Sequence, residues 1–76
     1  MKPHLYKMLK TEAEAEKAKA LLSLELLSNH AVGIGDHTTG DFYSSATEAL
    51  IMLVDADDKL NALEKYFSIF KVKLLG

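Results

Sequence analysis

Phe42, Ala46, Ala49, Leu53, Ala56, Leu60, Leu63, Phe67 and Phe70 recur at alternating steps of four and three residues, without a miss. An apolar repeat of about 3.5 residues, sustained this long, is the period of a helix packed along its whole length against another helix. It commits the second half of the chain to one long helix. Thr38 and Asp41 stand at capping-box spacing just before the repeat, with aspartate in place of the usual Glu or Gln. Asp41 also suits the positive end of the helix dipole. The expected helix is 39–67. Tyr43, Leu50 and Val54 widen its stripe on one flank, and Ile51 points almost opposite the seam.

The first half reads as a second helix over 4–29. Pro3 fits the first helical position, where its missing N–H costs nothing. Thr11 and Glu14 make another capping-box pair inside this span, so a restart at Thr11 competes with a continuous helix. Continuity is favoured, because Glu12 to Leu27 is built almost wholly from strong helix formers. Ala13, Ala20, Leu24 and Leu27 follow one line of this helix. Met8, Ala15, Ala18, Leu22 and Leu26 follow another, and Leu21 lies outside both. One neighbour covers one stripe, so two stripes imply two neighbours. Exposed alanines are the bland alternative.

Two helices of similar length around one connection predict an all-α, antiparallel two-helix hairpin, a single domain over 1–76 with loop 30–38. A second copy would cover the remaining stripe and complete a four-helix bundle. A chain of 76 residues buries a small share of its surface and ordinarily needs a staple or a partner. It holds no cysteine, which removes disulfides and thiolate zinc sites. The expected interface comprises Ala13, Ala20, Leu21, Leu22, Leu24, Leu26 and Leu27 from the first helix. The second contributes Phe42, Ala49, Leu50, Leu53, Val54, Asp57, Leu60, Leu63 and Phe67. Asp57 lies in line with Leu50 and Val54, and Lys17 interrupts the first helix's stripe. A Lys17–Asp57 pair there would set register and oligomer state.

The tail 68–76 departs from this pattern. Phe70, Val72 and Leu74 alternate with Lys71 and Lys73, a strand-like period too short to stand as a sheet. Extension of the helix, fraying, or pairing with the same tail in another copy all stay open.

The segment "AVGIGDHTTGDF", residues 31–42, carries most of the chemistry-bearing residue types. Its structural reading is a turn. Gly33 or Gly35 takes positive φ past the first helix, and Val32 and Ile34 fold back to plug the bundle. As a phosphate cradle it lacks the third glycine and the P-loop lysine, and it follows a helix instead of a strand. An anion at the start of the second helix would meet Asp36 and Asp41. His30, Asp36, His37 and Asp41 could ligate a metal, yet their spacing matches no established motif. Asp36, His37 and Ser44 or Ser45 resemble fragments of a triad, but a small bundle offers little room for a substrate pocket. The expectation is therefore a non-enzymatic protein without a cofactor.

A net charge of −2 argues against a general nucleic-acid binder. The acidic middle of the second helix reads as a solvated face. In an antiparallel hairpin, Lys2, Lys7 and Lys10 would meet Lys65, Lys71 and Lys73 beside Tyr6, Tyr66, Phe67 and Phe70. That basic, aromatic end would meet nucleic acid or an anionic membrane, or serve as an ordinary rim. The apolar runs are too short to cross a bilayer. "MKPHLYKMLK" also lacks the apolar core of a signal peptide, so a cytoplasmic protein is expected.

Residues 9–67 resemble small uncharacterised proteins of T4-like phages, especially those infecting marine cyanobacteria. Val32-Gly33-Ile34-Gly35-Asp36-His37, Asp41-Phe42-Tyr43 and Leu63-Glu64-Lys65-Tyr66-Phe67 carry the likeness, and residues 68–76 lie outside it. The resemblance implies an accessory role in an infected bacterial cell, with a host protein as partner. It assigns no activity to any residue. The resulting expectation is a homodimeric helical hairpin that acts by protein–protein interaction. A ligand, anion or metal binder using loop 31–41 is the alternative.

Overall fold

A computed structural model describes the backbone of residues 2–29 and 39–75 and the side chains of 2–29 and 40–69. It is all-helical, with α1 at Pro3–Asn29 and α2 at Thr39–Leu75. The two helices pack antiparallel as a hairpin, a rod of 51 × 17 × 14 Å.

Helix α1 starts at Pro3, one residue before the expected boundary. Its first turn is closed by the Tyr6 amide, which donates to the Lys2 carbonyl at 3.1 Å. It runs through Thr11 without a break, so the internal capping signal is not used. Strong helix formers on both sides outweigh a cap that would have to interrupt them. At the far end the Ser28 hydroxyl donates to the Leu24 carbonyl at 2.8 Å. That bond satisfies a carbonyl of the last turns locally.

Helix α2 has Asp41 in its first turn, where a carboxylate favours the dipole. Its end corrects the expected 39–67 boundary, because helix continues to Leu75. The helical geometry does break where that boundary was drawn. Phe67 leaves helical geometry, at φ −133° and ψ 23°, and the chain kinks there before resuming. The strand-like alternation after Phe67 thus loses to helix. A lone strand cannot satisfy its own amides and carbonyls, whereas a helix does so within itself. The loop reading, with its glycine turn, its Val32–Ile34 plug and its Thr38 cap, lies outside the described residues.

The core is a single line on each helix. Tyr6, Ala13 and Ala20 on α1, and Ala49, Ala56 and Leu63 on α2, are the buried apolar residues. Each set is spaced by seven. Ala20 and Ala56 have no exposed surface at all. Because the side chains at the contact set the distance between two helix axes, alanine at these points allows a close approach. Leu24 and Leu27 on α1 and Ala46, Leu53, Leu60 and Phe67 on α2 flank this line, each half-buried.

Enlarging the seam at its tightest point should therefore be costly. Ala56→Leu is expected to destabilise the fold by about 1–3 kcal/mol, the usual cost of overpacking, read from urea or thermal unfolding. Ala18→Leu, at an exposed position, is the control and should change little. Equal stability of the two variants would mean that the helices are not in close contact at Ala56.

Candidate interaction surface

The narrow seam leaves large apolar side chains outside. On α1, Leu5, Met8, Leu21, Leu22 and Leu26 are exposed. On α2, Tyr43, Leu50, Ile51, Met52, Val54, Tyr66 and Ile69 are exposed. The residues expected at the interface thus divide into two groups. Ala13, Ala20, Ala49 and Leu63 are consumed inside the hairpin, with Leu24, Leu27, Phe42, Leu53, Leu60 and Phe67 partly covered beside them. Leu21, Leu22, Leu26, Leu50 and Val54 stay open.

Two ion pairs bridge the helices. Lys17 Nζ lies 3.0 Å from Asp57 Oδ1, the pair that the sequence places on the apolar flank. Lys59 Nζ lies 3.0 Å from Glu16 Oε2 and 3.4 Å from Oε1. The second pair is legible only once the first supplies the register. Neighbouring residues of α1 then meet residues of α2 numbered in the opposite direction. Glu16 raises the Lys59 pKa above its ordinary value, first through the hydrogen bond and then through its charge. A raised folded value means that the pair contributes fully below the usual lysine pKa of 10.5. That contribution is lost only as pH climbs through the folded value. The Glu16–Lys59 pair is therefore intact at neutral pH.

The pairs lie on opposite faces of the hairpin. Lys17 and Asp57 are on the flank that carries Leu24, Leu50 and Leu53. Glu16 and Lys59 are on the flank of Ser23 and Met52. This second flank holds a shallow groove of about 380 Å³ lined by Ser23, Leu26, Leu27, Ser45, Glu48, Ala49 and Met52. Glu48 is the one ionisable group in that lining.

The basic, aromatic end is only partly seen. Tyr6 is not at a surface as expected there. It is 1 % exposed and extends the Ala13–Ala20 line by one heptad. Reading that line one step back toward the N-terminus would have found it. Tyr66 is exposed, with the Lys65 ammonium 5.2 Å from its ring centre. The Phe42 and Tyr43 rings meet edge to face at 5.9 Å. The side chains of Phe70, Lys71 and Lys73 lie outside the described residues. So do His30, Asp36 and His37, three of the four candidate ligands; Asp41 is exposed on α2. Among the described residues no group of three or more His, Asp or Glu is placed to hold a metal ion. No described helix is long and apolar enough to cross a membrane.

Searches against protein-family models, curated proteins and solved structures find no match to this chain.

The Lys17–Asp57 pair is half-exposed, at 42 % and 46 % of the side chains, and pairs of this kind add about 0–1 kcal/mol. Asp57→Leu should leave helix content unchanged by circular dichroism, because Lys17 keeps its water, but should change the association state seen by sedimentation. An unaltered assembly would remove the register role.

Proposed function

We propose that the protein is a non-catalytic, self-associating helical hairpin. Two copies pack as a four-helix bundle, and the assembly acts by binding another protein. The observation that carries this reading is exposed surface. The chain exposes 5802 Å², where a folded monomer of 8.4 kDa leaves about 4,600 Å² accessible. The excess of about 1,200 Å² exceeds the roughly 800 Å² per partner that a standard interface removes. The radius of gyration, 16.5 Å, points the same way, since a compact domain of this length has about 11 Å. The described groove supports binding over chemistry, because it is open and lined by one ionisable side chain. The resemblance of residues 9–67 to small T4-like phage proteins makes a protein of the infected host cell the natural further partner.

Sedimentation equilibrium tests the first step. A dimer is expected at micromolar concentration, with a melting temperature that rises with protein concentration, as mass action requires. A compact, fully helical single chain with a concentration-independent melt would overturn the reading.

A further inference from the structure

The outward side of α1 carries a pattern that reads alike in both directions. One position before Tyr6, Ala13, Ala20 and Leu27 stand Leu5, Glu12, Lys19 and Leu26, a row at seven-residue steps. At 3.6 residues per turn this row lies about a quarter turn from the seam. Two positions after Tyr6, Ala13 and Ala20 stand Met8, Ala15 and Leu22, almost opposite the seam. The two rows are neighbours, and all seven residues are exposed. Leu5, Met8, Leu22 and Leu26 leave 46 %, 52 %, 56 % and 50 % of their surface open. Turned end for end about Ala15, the first row sets Leu5 on Leu26 and Glu12 on Lys19. The second sets Met8 on Leu22 and Ala15 on itself. Reversing the other exposed rows gives mismatches instead. In α1, Glu14 falls on Leu21. In α2, Leu50 falls on Asp57, Ile51 on Asp58, Met52 on Lys59, Val54 on Asn61 and Glu48 on Asp55.

Resting on the self-association reading, we infer that a second copy docks through α1, its α1 antiparallel to the first and the two-fold axis crossing both helices at Ala15. Such an axis keeps each row against the same row of the other copy. Leu5 meets the partner's Leu26, Met8 meets the partner's Leu22, and Glu12 meets the partner's Lys19, each twice per dimer. One register serves all of them to within one residue, about 1.5 Å along the helix. Complementary charge of this kind fixes register and direction. The remaining charges of α1 stand around the contact. Glu12 already acts on Lys59 of its own chain, and the partner's Lys19 adds a second cation. Glu16, on the inner edge, comes nearest the partner's Glu16, each held by its own Lys59 at 3.0 Å. Glu25, on the outer edge, comes near the level of the partner's His4 and the partner's Lys7. Glu14 lies beyond that edge, and Lys10 and Lys17 turn to the opposite flank. A parallel pairing on the same surface would turn one row onto the other. Glu12 would then fall between the partner's Met8 and the partner's Ala15, and Lys19 between the partner's Ala15 and the partner's Leu22. Neither charge would meet an opposite one, and both would lose water, which is costly.

Sedimentation of charge-reversed chains tests this. Lys19→Glu and Glu12→Lys should each weaken dimerisation by roughly tenfold, because two attractive pairs per dimer become repulsive. The two reversals move the net charge in opposite directions, so an effect of net charge alone would separate them. The double variant, Glu12→Lys with Lys19→Glu, restores the symmetry of the row and should return dimerisation to within about threefold of the wild type. A double variant no tighter than either single one defeats the antiparallel pairing. Leu22→Glu should weaken dimerisation by roughly a hundredfold or more, because each dimer loses two buried leucines. Leu50→Glu, at a similarly exposed position on α2, should leave it unchanged. Circular dichroism of every variant shows that the hairpin itself persists. A dimer that survives Leu22→Glu but is lost with Leu50→Glu defeats the choice of helix while self-association stands. A monomeric wild-type chain defeats the self-association reading itself.

Discussion

Alanine along the buried line between the helices governs the rest of this structure. Ala13 and Ala20 on one helix, and Ala49 and Ala56 on the other, occupy the seven-residue line where a wider seam would carry leucine. Small side chains draw the two backbones together and leave no space between them for large ones. The leucines are pushed to the flanks, where one hairpin covers only half of each. A seam of alanines also removes little apolar area per residue, so the hairpin forms a defined contact with a modest hydrophobic return. The feature that makes the packing close is the one that leaves large apolar side chains exposed.

The charges act on top of this geometry as selectors. Lys17–Asp57 and Glu16–Lys59 bridge the helices on opposite faces, both partly in water. Exposed pairs contribute little to stability. Their consequence is arrangement, because sliding one helix by seven residues along the other would separate both pairs. Uniform alanine contacts alone would tolerate such a slide, since Ala13 and Ala20 look alike to Ala49 and Ala56. Tyr6 and Leu63, the two large buried residues, sit toward the end of the rod formed by the chain termini and add a second, steric restraint on register.

The hairpin's helices are unequal, at 27 and 37 residues. With Lys17 level with Asp57, the start of α1 falls opposite the turn that follows Phe67, and the last residues of α2 run beyond α1 altogether. The break at Phe67 therefore lies near the end of the paired region, where the demand for a regular 3.5-residue seam lapses.

The sequence by itself determined that the chain is two helices, because a period of 3.5 residues and runs of Ala, Leu, Glu and Lys admit little else. It also placed Lys17 and Asp57 together, since a lysine and an aspartate interrupting two apolar flanks are costly unless they meet. Tertiary structure decided which apolar residues are used up and which remain. The alternation of Phe42 to Phe70 cannot tell a half-covered leucine from a buried one. Burial depends on how closely the axes approach, and that distance is a property of both helices at once. Tyr6 as core and Glu16–Lys59 as a bridge were decided at that level too. Each depends on what stands opposite, which a single strip of sequence does not contain.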